Sequence, residues 1–182
     1  RPVAGDIAAN LFKHIRCVEM AAAHGADLIY FPELSLTAYE PSLAKKLAMT
    51  SDDVRLAALQ QLSDAHSLTI GVGLPLKRDD DVQIGMVWCA PKVSSRVYAK
   101  QQLHSSELAY FVDGINQLVI TSNDHNIVPA ICYESLQSSH ANRAAKLGAD
   151  IYLASVAKSA NVLDRAMLHY PLVARQHHMF VM

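Results

Sequence analysis

The chain has 182 residues, the span of one sizeable domain and too few for two ordinary ones. Hydrophobic residues make up 51% and charged residues 18%, which excludes a disordered tail and points to a well-buried core. Sixteen Lys+Arg against seventeen Asp+Glu leave a net charge of -1, so the composition invites neither nucleic acid nor an anionic membrane. The apolar stretches are strand-sized, well short of a membrane span, and no charged-then-apolar leader is expected. Cys17, Cys89 and Cys132 are odd in number and far apart. That spacing predicts neither a disulfide framework nor a CxxC metal site and points to the reducing cytoplasm.

Ile7, Leu11, Ile15, Val18 and Ala22 recur at spacings of three and four, which predicts a helix with one buried face, stopped at Gly25. Residues 27–31 read as a strand and 41–49 as a short helix. Leu56, Leu59, Leu62 and Ala65 predict another helix, capped by Ser51 or Asp52. Residues 68–74 form a β-rich run bounded by Pro75. Asp79-Asp80-Asp81 marks a turn, and 82–89 with 93–99 a hairpin across Pro91. A second strand pair is expected over 117–121 and 126–132. Ala141, Ala144, Ala145 and Leu147 predict a helix ended by Gly148, followed by a strand over 151–156, a helix over 162–178 and a strand from Met179. Ala22-Ala23-His24-Gly25-Ala26-Asp27 echoes Ala145-Lys146-Leu147-Gly148-Ala149-Asp150, as a recurring helix-to-strand joint or as a duplication. The class is α/β with some antiparallel pairing.

The nine His form no HExxH, and adjacent His177 and His178 point different ways on a helix, so they read as structural or surface residues and no metal is expected. Gly71-Val72-Gly73 lacks the third glycine of a dinucleotide loop, and no Walker lysine loop or GxSxG elbow is present. Three segments place a reactive group where a strand meets a loop. In Tyr30-Phe31-Pro32-Glu33-Leu34 a stiff backbone aims a glutamate, which is a general base if desolvated and otherwise an exposed strand-end charge. Lys100, after Val97-Tyr98-Ala99, is a solvated edge charge or a cation oriented by Glu107, seven residues on. Cys132, ending Ile127-Val128-Pro129-Ala130-Ile131, is a core thiol or a nucleophile that needs a base and a cation. Cys17 and Cys89 read as core.

Taken in order, these segments resemble the nitrilase superfamily of carbon–nitrogen hydrolases across nearly the whole chain. The likeness begins with Gly5-Asp6-Ile7 and Asn10-Leu11, and runs through Gly25-Ala26-Asp27, Phe31-Pro32-Glu33-Leu34 and Thr37-Ala38-Tyr39. It continues with Gly73-Leu74-Pro75, Tyr98-Ala99-Lys100 with Leu103, and Glu107 to Phe111 with Gly114. It closes on Ile131-Cys132-Tyr133-Glu134 and Gly148-Ala149-Asp150. The resemblance implies one domain over 1–182, a four-layer α-β-β-α sandwich, expected to lack the first strand and the C-terminal strands.

By position, Glu33, Lys100 and Cys132 match the family's Glu-Lys-Cys triad as general base, oxyanion stabiliser and nucleophile. Glu107 matches a second glutamate that orients the lysine or the substrate, and the Tyr133 backbone N–H would complete the oxyanion site. Tyr39, Glu134 and Ser155 are read as substrate-pocket residues. No metal or organic cofactor is implied. The chain departs from the family pattern at Ala99, Gln102 and Glu134-Ser135-Leu136-Gln137, and residues 155–161 lack the familiar substrate-loop tryptophan. These departures hold the substrate at class level: a small linear amide, or else a nitrile or N-carbamoyl compound, with water and no nucleic acid or membrane partner. The alternatives are acyl transfer from the same thioester and a noncatalytic dimerising relative. The family resemblance also implies a homo-oligomer, a dimer or higher.

Overall fold

A computed structural model describes residues 1–156 and 162–182. Asp6 opens the first helix, α1 (Ile7–Ala23), by accepting a hydrogen bond from the Ala9 N–H at 2.9 Å, a cap worth about 1 kcal/mol. The expected apolar stripe on α1 is half-buried. Asn10, His14 and Val18, four residues apart, take the centre of its buried face. Cys17, expected in the core, is exposed: it stands beside Asn10 and His14 at the edge of that face, where a cavity opens.

Strand β1 (Leu28–Tyr30) follows, then a 3-10 turn at Pro41–Leu43 running into α2 (Ala44–Leu47). A second 3-10 turn (Val54–Leu56) leads into α3 (Ala57–His66). Its cap is Asp53 rather than Ser51 or Asp52: the Asp53 carboxylate accepts from the Arg55 N–H at 3.0 Å and also pairs with the Arg55 guanidinium.

β2 (Thr69–Arg78) runs straight through Pro75, the expected end of this strand. The Pro75 carbonyl accepts from Met49 N–H at 3.0 Å, so its ring nitrogen lies on that same edge, away from the partner strand. No ladder bond is lost there, and the strand continues. β3 (Asp81–Cys89) and β4 (Arg96–Ala99) complete an antiparallel meander. β5 (Ile120–Ser122) and β6 (His125–Ile131) form the second hairpin. α4 (Ser138–Lys146), β7 (Ile151–Ser155), α5 (Leu163–His177) and β8 (Phe180–Val181) follow.

The strands make two four-stranded sheets, ordered β1-β2-β3-β4 and β5-β6-β7-β8. Side-chain alternation assigns their faces. Ile84, Met86 and Trp88 of β3 share a core with Ile127 and Ile131 of β6 and Leu153 of β7, so this core lies between the sheets. Val87 and Cys89, with Ile70, Val72 and Leu74 of β2, face Val18 of α1 and Leu59 of α3. Val128, Ala130 and Tyr152 face Ala141 and Ala144 of α4 and Val173 of α5. The result is a mixed α/β fold of two sheets with helices packed against each.

The echoed hexapeptides fold alike. Gly25 (φ +72°) and Gly148 (φ +73°) both turn left-handed, and the next N–H reaches back into its helix, Ala26 to Ala21 O and Ala149 to Ala144 O. This is the joint a helix needs when it hands over at once to a strand. Among the described residues no helix is long and apolar enough to cross a membrane.

Candidate active site

Three of the expected site residues sit where strands of the two sheets end, and a fourth closes a turn beside them. Glu33 follows β1, Lys100 follows β4, and Cys132 follows β6 in the other sheet. Glu107 closes a 3-10 turn (Ser105–Glu107). Lys100 Nζ donates to Glu33 Oε1 at 2.7 Å and to Glu107 Oε1 at 2.8 Å. All three side chains are essentially excluded from solvent. One cation between two carboxylates leaves the trio with net negative charge, the setting in which a neighbouring thiol proton has somewhere to go.

Burial raises the Glu33 pKa, Lys100 pulls it back by charge and hydrogen bond, Glu107 raises it again, and a hydrogen bond with the Cys132 thiol lowers it. The net shift is upward. For Lys100, burial acts downward, but the two carboxylates prevail and its pKa is raised, so it stays charged. Glu107 is pinned further by the Tyr39 hydroxyl at 3.1 Å and the His104 N–H at 2.7 Å.

The backbone aims these groups. Cys132 has φ +48°, a left-handed conformation for a non-glycine residue, costing on the order of 1–3 kcal/mol and concentrated at functional sites. Ser135 Oγ donates to the Cys132 carbonyl at 2.6 Å and is itself bonded to Tyr170 of α5 at 2.7 Å, bracing the turn. On the other sheet, the 32–34 segment lies directly on Gly73. A Cβ there would stand 2.4 Å from Pro32 O and 2.7 Å from Leu34 N. Gly73→Ala is therefore expected to push Glu33 off Lys100, costing about 1–3 kcal/mol in urea unfolding together with a clear fall in activity. Unchanged activity would show that Glu33 tolerates the displacement.

Two residues read as pocket walls lie elsewhere. Ser155 is fully buried, and its Oγ donates to Phe31 O at 3.1 Å, tying β7 to the segment after β1. Glu134 is fully buried too, and its carboxylate takes the Ile131, Gln101 and Gln102 N–H groups and the Tyr98 hydroxyl. Tyr39 does stand beside the cluster and is partly exposed. A cavity of about 600 Å³ opens against Glu33 and Tyr39, walled by His14, Cys17, Phe31 and Val156; Lys100 and Cys132 do not line it. Of residues 155–161, where the missing tryptophan was noted, 157–161 lie outside the described residues. Among the described residues no group of three His, Cys, Asp or Glu could hold a metal ion.

Tyr98, His140, Tyr152, Ser135 and Tyr170 support the site, and no spacing in the sequence singles them out. Tyr98 links Glu134 to His140 Nε2 at 2.9 Å, and His140 Nδ1 meets Tyr152 at 2.8 Å. Burial, then the Arg143 charge, drops the His140 pKa to about 3, so the ring is neutral. Because Tyr98 donates to Glu134, it accepts from Nε2–H, and Nδ1 accepts from Tyr152. Burial pushes the Glu134 pKa up to about 7, against the Ile131 N–H, Tyr98, the Gln101 N–H and Lys100. A carboxyl whose folded-state pKa is raised from 4.5 contributes most below pH 4.5, and that contribution is lost as pH rises through 7. The unfolding free energy of the wild type minus that of Glu134→Gln should fall across this window in urea titrations. A pH-independent difference would contradict the assignment.

The model of the carbon–nitrogen hydrolase family matches residues 1–182, and the chain belongs to that family. It superposes with TM-score 0.89 on a CN-hydrolase superfamily protein from Xanthomonas campestris with an arsenic adduct in its active site (18% identity, 99% of this chain, 70% of that one). A mutant of the amidase from Nesterenkonia sp. AN1, with acrylamide added at its active-site cysteine, superposes at 0.88 (20% identity, 99% of this chain, 73% of that one). Among curated proteins, the glutamine-dependent NAD(+) synthetase of Thermotoga maritima is 26% identical over 160 residues. That match covers 84% of this chain and spans 27% of the synthetase.

Proposed function

We propose that this chain hydrolyses the nonpeptide carbon–nitrogen bond of a small linear amide through a thioester on Cys132. The observation that carries the reading is the buried Glu33–Lys100–Glu107 cluster with the Cys132 thiol against Glu33. Glu33 takes the thiol proton as sulfur attacks the amide carbon. Lys100 and the Tyr133 N–H stabilise the oxyanion, and Glu107 holds Lys100 in place. Glu33 then protonates the departing nitrogen, the C–N bond breaks, and ammonia or an amine leaves a thioester. Water, deprotonated by Glu33, attacks that thioester; the acid departs and Cys132 recovers its proton. Tyr39, partly exposed beside Glu107, is the pocket residue of this reading.

The name of the Thermotoga relative adds glutamine to the candidate amides, a short linear primary amide of the same class. The test is a panel of short aliphatic amides, glutamine, nitriles and N-carbamoyl compounds, read by released ammonia. Turnover of at least one primary amide is expected. No turnover across the panel, with Cys132 no faster to alkylate than exposed Cys17, would sink the reading. Hydroxylamine outcompeting water for the acyl group would favour acyl transfer instead.

A thiol nucleophile favours a reducing compartment, which makes the cytoplasm the proposed location. A homo-oligomer is proposed from α5, where Leu163, Met167, Leu168 and Leu172 form a stripe more than half exposed. Sedimentation should find a dimer or larger, shifted toward monomer by Leu168→Asp. A wild-type monomer at tens of micromolar would count against it.

A further inference from the structure

The two sheets share no strand pairing, so side chains must set how the end of β4 stands against the end of β6. Those ends carry Lys100 and Cys132. Glu134 bridges them. Its Oε1 accepts from Ile131 N–H, the residue before Cys132, at 2.7 Å, and from the Tyr98 hydroxyl at 2.6 Å. Its Oε2 accepts from Gln101 N–H, the residue after Lys100, at 2.7 Å, and from Gln102 N–H at 3.2 Å. Oε1 thus ties the residue before Cys132 to Tyr98 of β4, and Oε2 holds the two amides that follow Lys100.

The geometry points to Glu134 as a positioning residue that fixes the Lys100 loop against the Cys132 turn, and so the cation against the nucleophile. This rests on the reading that Lys100 and Cys132 act together. Two other contacts run the same way, Gln102 Nε2 to Ser139 Oγ and Arg143 to Gln101 Oε1, both at 3.2 Å. Both are exposed, where water competes and such contacts contribute little. Glu134 is wholly buried, and charge-assisted bonds to backbone N–H groups are stronger there. Tyr98, His140 and Tyr152 pack behind it without touching either loop amide it holds. Cys132 also sits in a left-handed conformation that its neighbours must over-determine, and Ile131 is one of them.

Glu134→Gln keeps the shape and replaces one acceptor oxygen by a donor, so one loop is released. Tyr98→Phe removes a buried bond from the same carboxylate but leaves both loops held. In folded enzyme, Glu134→Gln is expected to lower kcat on the order of 100-fold with KM little changed. Glu134→Asp, which restores both acceptors one methylene short, should recover part of that loss, and Tyr98→Phe should stay within about threefold. Iodoacetamide alkylation of Cys132 gives a readout independent of any substrate: roughly tenfold slower in Glu134→Gln and unchanged in Tyr98→Phe. The proposal is overturned if Tyr98→Phe loses as much as Glu134→Gln, or if the loss lies in KM. It is equally overturned if alkylation is unaffected, or if neither Glu134 variant folds while Tyr98→Phe does. Normal alkylation differences with no amide turned over would instead count against the hydrolase reading alone.

Discussion

Replacing Cys132 by alanine is expected to lower kcat by at least about 10⁴-fold while leaving the fold intact. Cys132 stands at the first position of the Cys132–Leu136 turn, just past the end of β6, and is partly accessible. Its side chain can therefore be removed without opening the sheet. Thermal unfolding should change by no more than a few degrees, since alanine in the same left-handed backbone carries the same strain. A variant that kept a tenth of wild-type activity would mean that another group forms the covalent bond. The same substitution at Cys89, a buried thiol whose pKa burial and then the Asp64 charge raise to about 11, should cost packing and not turnover.

Lys100→Met should be nearly as damaging to activity and far more damaging to stability. The substitution keeps the length of the chain and removes the one cation that Glu33 and Glu107 share. Breaking a buried ion cluster this way leaves uncompensated charge and typically costs about 3–5 kcal/mol. The protein's escape is to protonate one carboxylate, which drives the already raised Glu33 pKa higher still. The sign follows. A carboxyl with a raised folded-state pKa stabilises the fold at low pH, and that stability is lost as pH rises through the raised value. The gap in unfolding free energy between wild type and Lys100→Met should be small near pH 5 and widen toward pH 8. A gap that does not change with pH would show that the lysine's charge is not what balances the two glutamates. Activity falls for a separate reason: a protonated Glu33 cannot accept the thiol proton, and no cation faces the oxyanion.

Much of this arrangement was legible in the residues. Helix spacing from Ile7 to Ala22, the glycine stops at 25 and 148, and the β-rich runs gave the order of elements, and the motif series placed Glu33, Lys100 and Cys132 at strand ends with Glu107 near the lysine. What was not legible was tertiary. Pro75 continues its strand only because its nitrogen faces Met49 rather than β3, which local sequence does not encode. Cys17 looks like core from its helix and is exposed, since the face it shares with Asn10 and His14 opens there onto a cavity instead of packing. Glu134 lies two residues after Cys132 and Ser155 opens the segment matching the family's substrate loop, and polar residues in such places invite a substrate role. The structure turns both inward to bridge two sheets, because backbone groups stranded between sheets need partners. Tyr98, His140 and Tyr152 come from three separate elements, and no spacing rule joins them.

Covalent catalysis by Cys132, as proposed, requires an acyl group carried on its sulfur during turnover. The most direct measurement is peptide mapping of wild-type enzyme quenched in acid during turnover of a primary amide. An acyl mass is expected on the Cys132 peptide alone, absent from Glu33→Gln and Lys100→Met under the same conditions. Ammonia released at full rate with no acyl mass on Cys132, or with the mass on Cys17, would contradict it.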